Sequence, residues 1–399
     1  MPVVVSPIRV SQYCNGDGIN EDAGFSSFLS ALTSGGRVYD GIIDVPVSLA
    51  SAKTLTSYVG NLRGEGGGRL IFTGGTDGLT IGLTIDNSGL PGANNSVLTL
   101  NRLGVFTTGL SVGTGLRVKG SSANGNNLIP SVFASEITIC GETPSAGWQI
   151  GFEGTQLKKS KLDAVATRGL IPEAVGGVSD MSKSALFSMY FHAGCNQVDI
   201  NSPRLDWGQY GVYVGTPVSG EEQCEGIVVN GGDVRAHLFG YVADPDAGAQ
   251  FQSRGVHYDT SNIGVSFGKD NAVDCDFSFI TGNFFLRSSI QGYNGSYAAV
   301  LLNANYGVVS GNNMYVGGAV YAPTGRYPYS DSVGITIGSD SDASKIGACP
   351  VTSNVITAFV TAIHLRPKTK NCLVSSTRID PAFAGGGIMN DGTNNTIVT

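Results

Sequence analysis

Charge is scarce in this chain. Only 14% of its 399 residues are Asp, Glu, Lys or Arg, well below the roughly 25% of an average domain. Long apolar runs are missing too, and none approaches the ~20 residues of a membrane span. Basic patches are absent. The net charge is −7, and the short run Lys158-Lys-Ser-Lys161 reads as a solvated loop, so nucleic acid is not an expected partner. Seven cysteines form an odd set with no Cys-x-x-Cys. The four histidines, His192, His237, His257 and His364, make no HExxH or HxH pair, and no metal or other cofactor is expected. No GxSxG elbow occurs, and Gly64-Glu-Gly-Gly-Gly68 lacks the Lys-Ser/Thr of a phosphate loop. Disorder does not follow from low charge, because 41% of residues are hydrophobic and can line a dry core.

What is present is glycine, 58 residues of it, and a repeat. The segments Val198–Gly215, Ile227–Ala243 and Gln250–Phe267 each hold an alternating strand, a small polar corner, and a second strand opened by glycine, at Gly211, Gly240 and Gly264. First strands recur near Phe277, Gly307, Val351 and Val374, and second strands near Val333, Thr361 and Gly386. Spacings of 24 to 35 residues between second-strand positions are those of a solenoid. Ile200, Val229, Phe251, Ile280, Val309, Val351 and Val374 read as a core stack. Asn312, Asn313 and Asn354 read as polar ladders at corners. Cys195, Cys224, Cys275, Cys349 and Cys372 keep fixed offsets from the core positions and read as small apolar residues stacked inside the repeats.

Ahead of the repeat lies one helix. Asn20 can cap it, Glu21 and Asp22 favour its dipole, and Phe25, Phe28, Leu29 and Leu32 fall on one face before Gly35-Gly36 ends it. A lone amphipathic helix before a long β run needs an apolar surface to cover. The expected division is a lead-in and capping helix over residues 1–36, then a solenoid with lateral loop insertions over 37–399.

These features, with Asn15-Gly-Asp-Gly18, Gly35-Gly-Arg-Val-Tyr39 and Asn61-Leu-Arg-Gly-Glu-Gly-Gly67, resemble the opening of the pectate-lyase-like superfamily. The later Gly-Val and Gly-Ile strands and the Ser310-Gly-Asn-Asn313 corner resemble its bacteriophage tailspike branch. The resemblance runs from about residue 15 to the end. It implies an all-β, single-stranded right-handed parallel β-helix that forms homotrimers, sits in the virion tail beside other tail proteins, leaves its host by lysis without a signal peptide, and takes a bacterial surface polysaccharide (capsule, exopolysaccharide or O-antigen) as partner and substrate. Segment 38–46 departs from the usual V-Y-F-P-P-G strand. The polygalacturonase motifs N-T-D, D-D, G-H-G and R-I-K and the W-x-D-H of pectate lyases are missing, which disfavours those two activities.

Levelling Ile200, Val229 and Phe251 puts Asp206, Arg235 and His257 in one column, and Trp207, Ala236 and Tyr258 in the next. Arg204, Asp233 and Asp259 fall at the rim, with Glu222 on a nearby loop. Glycoside hydrolysis needs two carboxyls across the bond, aromatic faces can stack on sugars, and arginine can clamp a sugar carboxylate. Asp206, Asp233, Asp259 and His257 are therefore the expected catalytic residues, and Trp207, Arg204, Arg235, Tyr258 and Glu222 the expected substrate contacts. A charged outer column can also be a merely solvated surface. Competing carboxylates are Glu221, Glu225, Asp244, Asp246, Asp274 and Asp276, and Glu153 near Trp148. Endo-glycosidic hydrolysis is the expected reaction. A lyase of the same fold and a non-enzymatic receptor-binding fibre are the alternatives.

Overall fold

The computed structural model describes residues 6–36, 38–83, 95–120, 129–172, 181–268, 275–287, 297–316, 332–338, 347–380 and 387–398. It is a right-handed parallel β-helix. Each full coil offers three strand positions, and every pairing between coils is parallel among the described residues. The chain divides into two compact units, one of Met1–Gly177, Ser182–Tyr190 and Cys195–Trp207, the other of Val178–Met181, Phe191–Gly194 and Gly208–Thr399.

In the first unit the opening residues are more than a lead-in. Ile8–Arg9 pairs with Gly41–Ile43 and starts the first strand position. Asn61–Gly64, Asn95–Asn101, Ile129–Ser135, Lys158–Asp163 and Asn196–Asn201 continue it. Their inner side stacks Leu62, Leu100, Ala134, Leu162 and Ile200 in register. The helix Asp22–Leu32 buries Phe25, Phe28, Leu29 and Leu32 as its spacing predicts. It packs on Gly41, where any side chain would run into Leu32 and Phe28. Asn20 Oδ1 accepts the Asp22 N–H at 3.0 Å, and Lys53 pins Asp22 at 2.7 Å. The helix closes the mouth of the solenoid by covering apolar surface that a further coil would otherwise bury.

In the second unit the first position runs through Cys224–Asn230, Gln252–Arg254, Phe279–Thr281, Val308–Ser310, Pro350–Thr352, Leu373–Ser375 and Thr396–Val398. The stack here is Val229, Ser253, Ile280, Val309, Val351 and Val374. Ser253 holds the place expected for Phe251. It is fully buried, and its Oγ meets the Tyr258 hydroxyl at 2.7 Å and Asn283 Oδ1 at 3.0 Å. Phe251 lies two residues earlier and is buried in its own right.

Two devices fix the corners. Directly after each first-position strand comes a residue with positive φ: Gly231, Gly255, Gly282, Gly311, Ser353 and Ser376. Its N–H donates to the next coil, for example Gly282 to Ser310 and Gly311 to Thr352. Beside them runs an asparagine ladder. Asn283 Nδ2 donates to Asn312 Oδ1, and Asn312 Nδ2 to Asn354 Oδ1, both at 3.0 Å. Asn312 and Asn354 are as expected. Asn313 is not part of the ladder: it is exposed and in register with Phe284, and Asn283 takes the rung.

The strand-opening glycines have a packing reason. A Cβ on Gly211 would lie 2.4 Å from Val234, on Gly240 2.5 Å from Tyr258, on Gly264 2.4 Å from Phe285, and on Gly334 2.8 Å from Ile356. Each glycine makes room for the inward side chain of the following coil. All seven cysteines are buried thiols outside any disulfide, and Cys224, Gly248 and Cys275 share a column, as the offsets predict for the two cysteines.

Candidate functional site

Outer columns follow from the period of two. In a strand whose alternate residues fill the core, the residues between them face out. At the second strand position of the second unit, Val234, Tyr258, Phe285 and Met314 point in and are buried. Asp233 and Arg235, His257 and Asp259, Phe284 and Leu286, Asn313 and Tyr315 fall between or beside them. The register pairs Asp233 with His257 and Arg235 with Asp259, then His257 with Phe284 and Asp259 with Leu286.

This corrects the sequence alignment by two residues. Arg235 lies beside Asp259, not His257, and His257 lies beside Asp233. The Ser253-for-Phe251 exchange is the cause. The slip is even, so Asp233, Arg235, His257 and Asp259 keep their outward face. A slip of one would have turned them in. Tyr258 is lost as a substrate contact, because it is fully buried, bonded to Ser253 and stacked on Phe285 at 5.1 Å.

The site's central contact is His257 Nδ1 to Asp233 Oδ1, at 3.0 Å, with the two side chains 37% and 44% exposed. The His257 ring sits 5.2 Å from that of Phe284. Its Nε2 meets no partner among the described residues. One residue past Ala236, which carries φ 56°, His237 is fully buried, and burial pushes its pKa down to about 3. It stays neutral inside the coil and takes no part in the outer columns. The strands Asp233–Ala243 and His257–Phe267 carry the second and third positions without a break. A register irregularity between Arg235 and Phe239 stands where the sequence suggested a full corner.

In the first unit, Arg204 Nε contacts Asp206 Oδ2 at 3.1 Å, with Arg204 exposed and Asp206 largely covered. Arg168 is in register with Asp206. Trp207 takes φ 60°, its carbonyl accepts the Ser184 hydroxyl at 2.9 Å, and its side chain is half-buried. In the second unit, Glu222 is exposed on the loop before Cys224 and packs over Gly194. It belongs to the corner entering the first position, away from the second-position columns. Asp274 lies outside the described residues.

One polar cluster escaped the sequence. In the first unit Arg117 binds Glu153 through Nε at 2.7 Å and Asp77 through Nη1 at 3.1 Å, and Thr114 bonds both Arg117 and Glu153. Of these only Glu153 had been singled out. Trp148, its expected companion, is buried, and its indole donates to Val105 O.

No family model and no curated protein match the chain. Solved structures do. The Dettilon tailspike protein (gp208) superposes with a TM-score of 0.64 at 12% identity, over 94% of this chain and 66% of its own. The Azotobacter vinelandii mannuronan C-5 epimerase AlgE4 A-module gives 0.51 at 12%, covering 98% of this chain and 100% of its own. The Agl-KA catalytic domain gives 0.52 at 12%, covering 99% and 69%. The chain thus spans just under two thirds of that tailspike. At such identities the likeness shows the architecture: this chain is a parallel β-helix of the kind seen in a phage tailspike and a mannuronan C-5 epimerase.

Proposed function

We propose that this chain is a tailspike-type depolymerase that binds a bacterial surface polysaccharide and cleaves it by endo-glycosidic hydrolysis. One observation carries the reading. Asp233 and Asp259 face out from neighbouring coils, one strand and two residues apart. Strand spacing and rise put the Cα atoms of such positions roughly 8 Å apart, so side chains leaving the sheet in parallel would hold their carboxyls in the ~6.5–9.5 Å range of inverting glycosidases. In this reading Asp259 activates the attacking water. Asp233 gives its proton to the leaving oxygen and recovers one from solvent, and His257, bonded to it through Nδ1, holds the carboxyl in place. Phe284 offers an apolar floor, and Arg235 orients the sugar. On the first unit taken by itself, Arg204, Asp206 and Trp207 are proposed as sugar contacts. Assembly as a homotrimer in a virion tail belongs to the same proposal, supported by the likeness to a tailspike.

A second reading rests on the His257–Asp233 pair beside Arg235. On a uronate polymer, Arg235 could neutralise the sugar carboxylate while His257 abstracts the adjacent proton, giving β-elimination. The two chemistries part in one experiment. Candidate polysaccharides are incubated with the protein, products are sized, and absorbance near ~235 nm is followed, where unsaturated uronates absorb. Hydrolysis gives a size ladder of reducing ends without that absorbance, and a lyase gives both. Cleavage that survives Asp233→Asn and Asp259→Asn sinks the site. Tight binding without any cleavage means a receptor-binding fibre.

A further inference from the structure

A second column of positive-φ residues lies at the corner leading into the first strand position of the second unit. Gln250, Phe277, Tyr306, Ala348, Asn371 and Asn394 take φ values of 62, 57, 55, 56, 54 and 56°. Neighbouring registers set them directly above one another. The first four hand their N–H to the following coil: Gln250 to Asp276 at 2.9 Å, Phe277 to Asn305 and Tyr306 to Gly347 at 3.0 Å, and Ala348 to Lys370 at 3.1 Å. Bulky aromatics are rare in this backbone region, yet two adjacent coils place them there. Both are exposed, Phe277 at 50% and Tyr306 at 58%. Their rings lie 5.3 Å apart and within 11° of parallel.

The two ends of this stack differ. Below Phe277, the column continues with Gln250, whose amide is tied to Glu225 Oε1 at 2.7 Å. Above Tyr306, it continues with Ala348, an exposed methyl. The next longer side chain is Asn371, two strand spacings above Tyr306, or about 9.6 Å. A ring stacked on Tyr306 takes up roughly 4–5 Å of that height, and the remainder is hydrogen-bonding reach from the Asn371 amide. Among the described residues the column has one rung missing, with an aromatic floor and a polar ceiling.

We infer that this corner is a saccharide-binding shelf, in which one pyranose ring lays its axial C–H face on Tyr306 in the gap over Ala348 and its hydroxyls meet Asn371. It rests on the reading of the chain as a polysaccharide-acting protein. It is separate from the Asp233–His257 columns, which belong to the second strand position. The shelf holds the polymer while the columns cut it.

The test uses the full chain, with cellohexaose and a mannuronate hexamer as neutral and acidic probes. Saturation-transfer NMR reads which sugar protons touch the protein, and titration calorimetry gives the affinity. At least one probe should bind the wild type at millimolar concentration through its axial C–H protons. Tyr306→Ala should weaken that binding tenfold or more. So should Ala348→Phe, which continues the ring stack into the gap, while its melting temperature stays level or rises. Equal binding by both variants and the wild type overturns the shelf and leaves the rings as a structural stack. So does the absence of wild-type binding to either probe. A protein that binds on the shelf but cleaves no polysaccharide refutes the hydrolysis proposal and leaves the shelf standing.

Discussion

Two outer faces of the second unit are made by the same ladder and differ in kind. On the second strand position, Asp233, Arg235, His257 and Asp259 gather four titratable groups in two adjacent coils. On the first position, from Phe279 onward, the outer residues are Phe279, Val308, Pro350 and Leu373 in one column and Thr281, Ser310, Thr352 and Ser375 in the other. None of these eight is charged. Both faces cover buried apolar columns, and both satisfy their backbone groups by parallel pairing. Holding the coil together therefore places no demand on the outer side chains. Charge gathered on one face of two coils, in a chain with so little of it, is what the proposed chemistry would need and what the parallel pairing does not.

Breaking an inner column should cost the most. Asn312→Ala removes a buried amide that bonds Asn283, Asn354 and the Ile280 carbonyl. With roughly 1–3 kcal/mol for each buried group left unpaired, denaturant unfolding should show a loss of about 4 kcal/mol or more. A loss under ~1 kcal/mol would mean that the ladder does not hold the coils. Next, Asp259→Asn and Asp233→Asn should each slow polysaccharide cleavage by ~10²–10⁴-fold while the melting temperature hardly moves. A stability loss as large as that of Asn312→Ala would erase the contrast between inner and outer columns. Gly240→Ala puts a methyl 2.2 Å from the Gly264 carbonyl and 2.5 Å from the Tyr258 ring, an overpacking worth about 1–3 kcal/mol, read by the same unfolding curve.

The smallest effect is a pH slope. His237 is neutral when folded, with its pKa pushed down by burial to about 3, and takes up a proton once unfolded. Its contribution is complete above about pH 6.5 and drains away as pH falls toward 3, at about 1.4 kcal/mol per pH unit at most. His237→Gln should flatten that part of the stability profile. An unchanged slope would show that the buried imidazole is not its source.

Much of the fold could be read from the chain because its signals are local. The helix announces itself through Phe25, Phe28, Leu29 and Leu32. Glycines 211, 240 and 264 mark coils one after another, and paired offsets reveal the buried cysteines. The site was harder. Its register depended on one core position, and the chain fills that position with Ser253, a polar residue satisfied by Tyr258 and Asn283. Alignment by hydrophobicity chose Phe251 instead. Asn283 sits in Thr281-Gly-Asn283, nearly the tripeptide Ser310-Gly-Asn312, and that likeness would have shown the rung. The Asp77–Arg117–Glu153 cluster had no such cue, since its partners are 40 and 36 residues apart and meet only once the coils are stacked.

The glycine column gives the interior an arrow. Each coil from Gly211 to Gly264, and again at Gly334, is hollowed to receive the ring or branched side chain of its successor, never of its predecessor. Coils so made are not interchangeable beads. Cutting the solenoid between two of them leaves an empty socket on one stump and a protruding plug on the other. A graft or duplication respects the packing only when socket and plug travel together, so the heritable module runs from the glycine of one coil to the large residue of the next.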